Sequence, residues 1–420
     1  MIGIEEQRSS LRAFAPALAL LAGSFLINYI DRGNLGIAAP LLKGELHISG
    51  SQLGLLLAAF FWTYTGLQFA VGWAIDRFDG NRVLAAGFLL WSLATMATGL
   101  VAGFASLLLV RLVLGIGESV CVPCYSKILA RHLPEHDRGF GSAVIGAGQY
   151  CGPAIGTFGA GLLMARYGWR PVFVAIGLLS LLWLPAWQKW MPRGKGVCGP
   201  LLGKCIAVPQ ILRNRSFWGA SAGHFCECYF LYFLVMWLPF YLTTERHLTM
   251  AMMARVTGVC WALAAVASLF AGWQSDNMIR RGASPTLVRK LTMLIGHATG
   301  AIGLAGCCIA GPNVYLAYLA LAGVGLGIVF PGLLAFPQAL AGPESAGRWM
   351  GLQNGLGNFG GVVSPALAGF LLDRTGNFTA AFLITAAVML AGGFAWVFGV
   401  GRLELVCSVP PLAEAAADLS

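Results

Sequence analysis

The sequence predicts an all-α integral membrane protein, with twelve transmembrane helices in two pseudo-symmetric six-helix bundles. Three observations predict it. The 420 residues are 58% hydrophobic and only 10% charged, whereas a soluble domain carries about 25% charged residues. Apolar runs recur along the whole chain, and each is long enough to cross a bilayer, which takes about 20 residues. A short motif also repeats, with Asp76 and Asp276 lying 200 residues apart, close to half the length of the chain. A membrane β-barrel is excluded because it would show short alternating segments instead of long apolar runs.

The apolar segments fall near residues 13–40, 51–74, 83–103, 105–129, 140–165, 170–190, 216–243, 250–273, 286–309, 312–338, 348–371 and 378–401. Before the first of them stand Glu5, Glu6, Arg8 and Arg12, and no small-residue cleavage site breaks that run, so no cleavable signal peptide is expected. The longest connection, 191–215, holds Arg193, Lys195, Lys204, Arg213 and Arg215. It divides the chain into a first bundle (1–190), a linker (191–215), a second bundle (216–402) and a tail (403–420).

Orientation follows from the cations. Of 27 Lys and Arg, 19 fall on the side that holds Arg8, Arg12, the linker and Arg402, and five (Lys43, Arg166, Arg170, Arg246 and Arg374) fall on the other. The positive-inside rule then puts both termini in the cytoplasm of a multi-pass inner or plasma membrane protein. The net charge of +10 is a consequence of this bias and implies no nucleic-acid partner. Eleven Cys are scattered through apolar segments. Cys121-Val-Pro-Cys124 has redox-motif spacing but lies in a helix, so small buried residues are the better reading. No metal-ligand cluster, nucleophile–base pair or phosphate loop is present and the loops are short, so neither an enzyme nor a metal or organic cofactor is expected.

The halves repeat in detail. Gly72-Trp-Ala-Ile-Asp76-Arg77 follows the second segment, and Gly272-Trp-Gln-Ser-Asp276-Asn277 follows the eighth. Arg166-Tyr-Gly168 is echoed by Arg374-Thr-Gly376. Parallel halves related by an axis along the membrane normal are a transporter architecture, with substrate bound between them at mid-membrane. The stretch from Gly72 to Arg82 resembles the loop signature of the major facilitator superfamily. In it an Asp at a helix end latches one state by pairing with basic groups, which makes Gly72, Asp76, Arg77 and Arg82 the first latch. Asp276 and Arg280 make the second, with Asn277 where Arg is usual. Within that superfamily the chain most resembles the anion:cation symporters. The residues that carry this likeness are Asn28-Tyr29-Ile30-Asp31-Arg32, Phe61-Trp62-Thr63-Tyr64, Arg111 through Glu118, Trp237-Leu-Pro239 and Gln353-Asn354 with Asn358.

The buried polar residues define the expected site. Asp31 and Arg32 interrupt the first apolar segment, and charges there cost several kcal/mol unless they pair or meet water. Arg111 and Glu118 stand seven residues apart on one face of the fourth segment, so two carboxylates nearly balance two guanidiniums. An Arg that leaves a carboxylate for a substrate lets that carboxylate take a proton, which is a physical basis for symport. If both acids are protonated before a monoanion is carried, one net positive charge moves inward. The resemblance implies that Asp31 and Glu118 carry protons, with Arg111 beside them, and that Arg32 meets a substrate carboxylate. Tyr29, Tyr64 and Gln149 then line the cavity, and Asn354 and Asn358, one turn apart, face it from the other half.

Two features depart from that pattern. Glu227, with His224 and Tyr229, is a third buried carboxylate; it reads as an extra proton site, a partner for a cationic substrate group, or part of a hydrated break. Gly148 to Gly156 resembles the G-x-x-x-G-P-x-x-G signature of antiporters, although such glycines also permit close helix packing. The expected function is therefore proton-coupled import of a small organic anion, such as a sugar acid, by a monomer working by alternating access. The alternative is a proton-driven antiporter that exports drugs or metabolites.

Overall fold

The computed structural model describes residues 2–47, 50–192, 206–311 and 314–406. Among the described residues, twelve rods cross the molecule. In the first half they are α1 (Ile2–Leu46), α2 (Gly50–Arg77), α3 (Gly80–Thr98), α4 (Phe104–His132), α5 (135–167) and α6 (Trp169–Trp190). The second half holds α7 (Arg215–Thr244), α8 (Met250–Arg280), α9 (Pro285–Ile309), α10 (315–341), α11 (343–375) and α12 (Thr379–Gly399). Eight stretches of the described residues are long and apolar enough to span a bilayer, and one of these, Tyr315–Leu372, holds both α10 and α11. The expected segments match these rods closely. The main differences are that α1 begins near residue 2 and that α8 runs on to Arg280.

Local chemistry explains where the rods break. Gly342, at φ 66° and followed by Pro343, separates α10 from α11, since only glycine takes that backbone without strain and proline disfavours a helical predecessor. In α5, Pro153 removes one backbone donor, and a π-turn over Gly156–Ala160 follows. In α4 the helix breaks at Ser119–Val120, directly after Glu118.

The two halves meet at crossings that the repeated glycines permit. A Cβ on Gly72 of α2 would lie 3.1 Å from the Arg348 backbone of α11. A Cβ on Gly272 of α8 would lie 2.6 Å from the Gly139 carbonyl of α5. The two copies of the motif thus do the same work, each letting its helix close on the first turns of a helix in the other half. Both crossings lie on the face that carries the 191–215 connection, the linker face. There Ile206 donates its N–H to Ser345 Oγ at 2.9 Å and accepts from Arg348 at 2.7 Å, so the end of the linker lies across the start of α11. Residues 193–205, with Arg193, Lys195 and Lys204, and the tail beyond 406 lie outside the described residues.

The second latch differs from the expected one. Asp276 is buried, and it accepts from the backbone N–H groups of Gly139 (3.1 Å) and Phe140 (2.6 Å) and from Arg289 (3.3 Å). Arg280 instead stands 3.9 Å from Asp137. Asn277 therefore leaves no gap: Arg289, one turn into α9, supplies the guanidinium from a different helix. Arg289 also bonds the Glu135 carboxylate and carbonyl, at 3.3 and 3.0 Å. Glu135 pairs with Arg138 at 2.8 Å, and Arg138 caps the α4 carbonyls of Ala130 and Leu133. At the first latch the Asp76 side chain lies outside the described residues. Arg77 stacks on Trp73. Arg82 lines a cavity of about 600 Å³ with Lys127, Arg131 and His132, and Lys127 caps α2 by donating to the Ile75 carbonyl at 2.7 Å.

Two outcomes follow for stability. Removing one partner of a buried pair costs about 3–5 kcal/mol, so Arg289→Ala should lower the melting temperature by several degrees. It should also expose a cysteine placed at Ala143, which packs beneath Gly272, to a polar thiol reagent. Unchanged melting together with unchanged labelling would refute the latch. At the opposite end of α1, Glu45 accepts from Arg170 at 2.7 Å and from Trp169 at 2.6 Å, and the bond from Arg170, first, holds its carboxyl below the usual range. A depressed carboxylate contributes stability above its unfolded pKa, about 4.3, and loses it as pH falls through the folded value. The pair is exposed, so the effect is small. A melting-temperature titration should show a shallow acid-side loss that Glu45→Gln removes.

Candidate functional site

The centre of the molecule holds one charged pair joined to both halves. Arg32 of α1 donates Nε–H to Glu118 Oε2 of α4 at 2.9 Å, with side-chain exposures of 12% and 0%. Its Nη1 donates to the Tyr232 hydroxyl of α7 at 3.3 Å. Tyr232 in turn donates to Asn358 Oδ1 at 3.2 Å. Three aromatic rings enclose the guanidinium: Tyr29 at 4.8 Å, Phe60 at 5.0 Å and Tyr64 at 4.6 Å from its carbon to the ring centroids. Such stacking contributes about 0.5–2 kcal/mol per face as the site is desolvated.

From the second half, Asn354 and Asn358 stand one turn apart on α11. Asn358 donates to the Asn354 carbonyl and side-chain oxygen at 2.8 and 3.0 Å, and Asn354 donates to the Tyr64 hydroxyl at 3.3 Å. Two side-chain bridges therefore cross the midline, Arg32–Tyr232 and Asn354–Tyr64.

Asp31 and Arg32 do not pair. Neighbours on a helix point about 100° apart, so Arg32 enters the centre while Asp31 turns towards α4. Asp31 is 1% exposed, and Thr95 of α3 is the side chain placed to donate to its carboxylate. Glu118 and Arg111 are the charges that act on it. Arg111 is buried with its Nε unpartnered and its guanidinium over Phe60 at 5.4 Å. It makes no hydrogen bond to Glu118, because seven residues separate them by about 10 Å along the axis. Asn28 of α1 also faces the Glu118 carboxylate as a hydrogen-bond donor. Gln149 is buried on α5, on the same helix as a glycine stripe that meets α1. Cβ atoms on Gly148 and Gly152 would clash with the Ala22 and Leu26 carbonyls, and one on Gly156 would touch Ile30.

Glu227, His224 and Tyr229 are all buried on α7. His224 packs against Gly357 and Tyr229 against Gly360, both on α11, whereas Glu227 acts on Tyr150 of α5. Three participants were missed from the sequence. Tyr232 and Phe60 sit inside aromatic and aliphatic runs where nothing marks one ring as central. Cys121, which accepts from Asn28 at 3.7 Å, was read only as a small buried residue.

A sequence model of the Major Facilitator Superfamily matches residues 21–288 and 286–406. The chain belongs to the Major Facilitator Superfamily. It is 30% identical over 404 residues to "Probable anion transporter 4, chloroplastic" of Oryza sativa subsp. japonica, covering 91% of this chain and 68% of that protein. It is 29% identical to the "Hexuronate transporter" of Bacillus subtilis (strain 168), over 90% and 92% of the two chains. The proton:xylose symporter XylE bound to 6-bromo-6-deoxy-D-glucose shares the fold at a TM-score of 0.76 and 15% identity, over 95% of this chain and 97% of that one. The rice and Bacillus relatives, named for anions and hexuronate, are consistent with this chain being a superfamily member of the anion:cation symporter type. It is a multi-pass membrane transporter and not an enzyme.

The Arg32–Glu118 pair makes a prediction about stability. Arg32→Met alone leaves Glu118 buried and unpaired, and Glu118→Leu alone does the same to Arg32, each at a cost of about 3–5 kcal/mol. The double variant Arg32→Met/Glu118→Leu should melt higher than either single one. Strictly additive losses would show that the two side chains are not coupled.

Proposed function

We propose that this transporter imports a small organic anion, a sugar acid or similar carboxylate, together with protons across a cell membrane, with both termini in the cytoplasm. The observation that carries the reading is Arg32 held between Glu118 and Tyr232. A substrate carboxylate entering between the halves competes with Glu118 for the same guanidinium, and a planar fork suits it. Glu118, displaced and buried, then takes a proton. Asp31, buried and acted on by Glu118, is the second proton-carrying group, in relay with Glu118, and Arg111 keeps the empty site near neutrality. Tyr29, Tyr64, Gln149, Asn354 and Asn358 offer hydroxyls and amides that both donate and accept, which suits a polyhydroxylated acid. Displacing the Glu118 carboxylate also loosens the Arg32–Tyr232 bridge between the halves, which links binding to their rocking.

The names of the relatives support the same reading, since those proteins are called transporters of anions and hexuronate. The antiport alternative rested on Gly148, Gly152 and Gly156. In the fold each of these seats α5 against α1, so packing accounts for them.

Proteoliposomes test the direction of coupling. D-glucuronate added outside should alkalinise the medium, while acidification would establish antiport. Asp31→Asn and Glu118→Gln should abolish proton-driven accumulation, and at least one should keep exchange of labelled for unlabelled acid, which needs no proton release. Undiminished accumulation in both variants would refute the assignment.

A further inference from the structure

Glu227 is the one carboxylate in the centre of the described structure that has no cation. It lies on α7, is 4% exposed, and its Oε2 has no hydrogen-bond partner. The titratable groups that feel its charge are Cys228 on α7 and Tyr150 from α5; His224, one turn earlier on α7, packs against Gly357 of α11. From α8, Trp261 stacks behind Tyr150, and from α10 the Leu326 carbonyl accepts the Tyr150 hydroxyl at 2.9 Å; neither brings a charge. Arg32, the nearest guanidinium on α1, is held by Glu118 and Tyr232. Because Tyr150 already donates to Leu326, its oxygen is left to accept, which suits a donor on Glu227. An unpaired carboxylate in such surroundings is neutralised by a proton or by a cation, and no cation is at hand.

We propose that Glu227 is a third proton-carrying site, located in the second half of the transporter, and that it makes the cycle electrogenic. The inference rests on the proton-coupled reading above. Around the substrate stand three carboxylates, Asp31, Glu118 and Glu227, against two guanidiniums, Arg32 and Arg111. Glu227 holds its proton while the site is closed to water, as here, and gives it up when the empty site opens; with all five groups then ionised, the empty site carries one negative charge. A loaded site crosses the low-dielectric barrier most easily when neutral. Neutrality then takes two protons with a monoanion and three with a dianion, always one more than the charge of the substrate. One net positive charge therefore moves inward per cycle, whichever anion is carried. Without Glu227 the remaining charges balance in the empty site, so a neutral loaded site takes one proton per substrate charge, relayed between Asp31 and Glu118, and no net charge moves.

Two measurements on the purified full-length protein test this. In infrared difference spectra, the wild type should show a protonated-carboxyl carbonyl stretch that Glu227→Gln removes. This arm needs no substrate. In proteoliposomes loaded with valinomycin and a potassium gradient, an inside-negative potential of about 100 mV should raise the D-glucuronate accumulation ratio roughly 50-fold in the wild type. Glu227→Gln should lose that dependence, and Glu227→Asp should keep it. The proposal is overturned if the band survives in Glu227→Gln, or if potential dependence is the same in all three proteins. Loss of labelled-acid exchange in both variants would overturn it too, by marking Glu227 as a substrate ligand. If the wild type accumulates no acid, the symport reading fails by itself and the infrared arm alone decides the protonation of Glu227.

Discussion

The interaction on which the centre of this protein depends is the contact between Arg32 and Glu118. A guanidinium and a carboxylate buried among apolar helices are costly unless the geometry is good and the remaining donors are engaged. The chain meets that requirement with unusual density. One nitrogen of Arg32 faces Glu118, another faces Tyr232, and three aromatic rings surround the planar group. Tyr64 and Asn28 add side-chain hydrogen bonds to Arg32 and to Glu118 respectively. A pair held this way keeps the empty site intact, and in the proposed function its guanidinium is the donor for which an incoming carboxylate competes.

That chemistry works only inside a frame that can close around it. The repeated glycines, Gly72 and Gly272, supply the frame by letting backbones of opposite halves approach where any side chain would intervene. The frame is symmetric in its packing but less so in its charges. At the α5–α8 crossing a carboxylate takes two backbone N–H groups near the start of a helix, where the helix dipole favours negative charge, and a guanidinium from a third helix completes the site. These bonds join elements of different halves, so they hold this arrangement of the halves together.

How much of this was legible in the sequence depended on what each signal measures. Apolar runs report burial in lipid, so the rods and their number could be read, as could the repeat that relates the halves. Breaks driven by one backbone, such as Gly342 or the turn after Glu118, leave little trace in hydropathy, so boundaries shifted there. Asp31, Arg32, Arg111 and Glu118 stood out because charge in an apolar run is rare. The pairing among them did not, because partners are fixed by helix rotation and by contacts 86 residues apart. Arg289 illustrates the same limit. It looked like one more inside-positive residue near a loop, and only the packing of α9 against α8 and α5 shows it completing the Asp276 site.

The division of labour between the halves follows from the cost of moving charge. The first half holds Asp31, Arg32, Arg111 and Glu118, which nearly cancel within one rigid bundle, so rocking that bundle moves almost no net charge. From the second half, α7 and α11 reach the site with hydroxyl and amide groups, Tyr232, Asn354 and Asn358, whose contacts can break and re-form against water at little cost. Glu227 is the exception on that side. A single carboxylate there cannot be balanced within its own bundle, so its ionisation is tied to what enters between the halves. In the proposed cycle, that asymmetry gives one residue control over whether transport senses the membrane potential, while the balanced cluster opposite decides which group of the substrate is held.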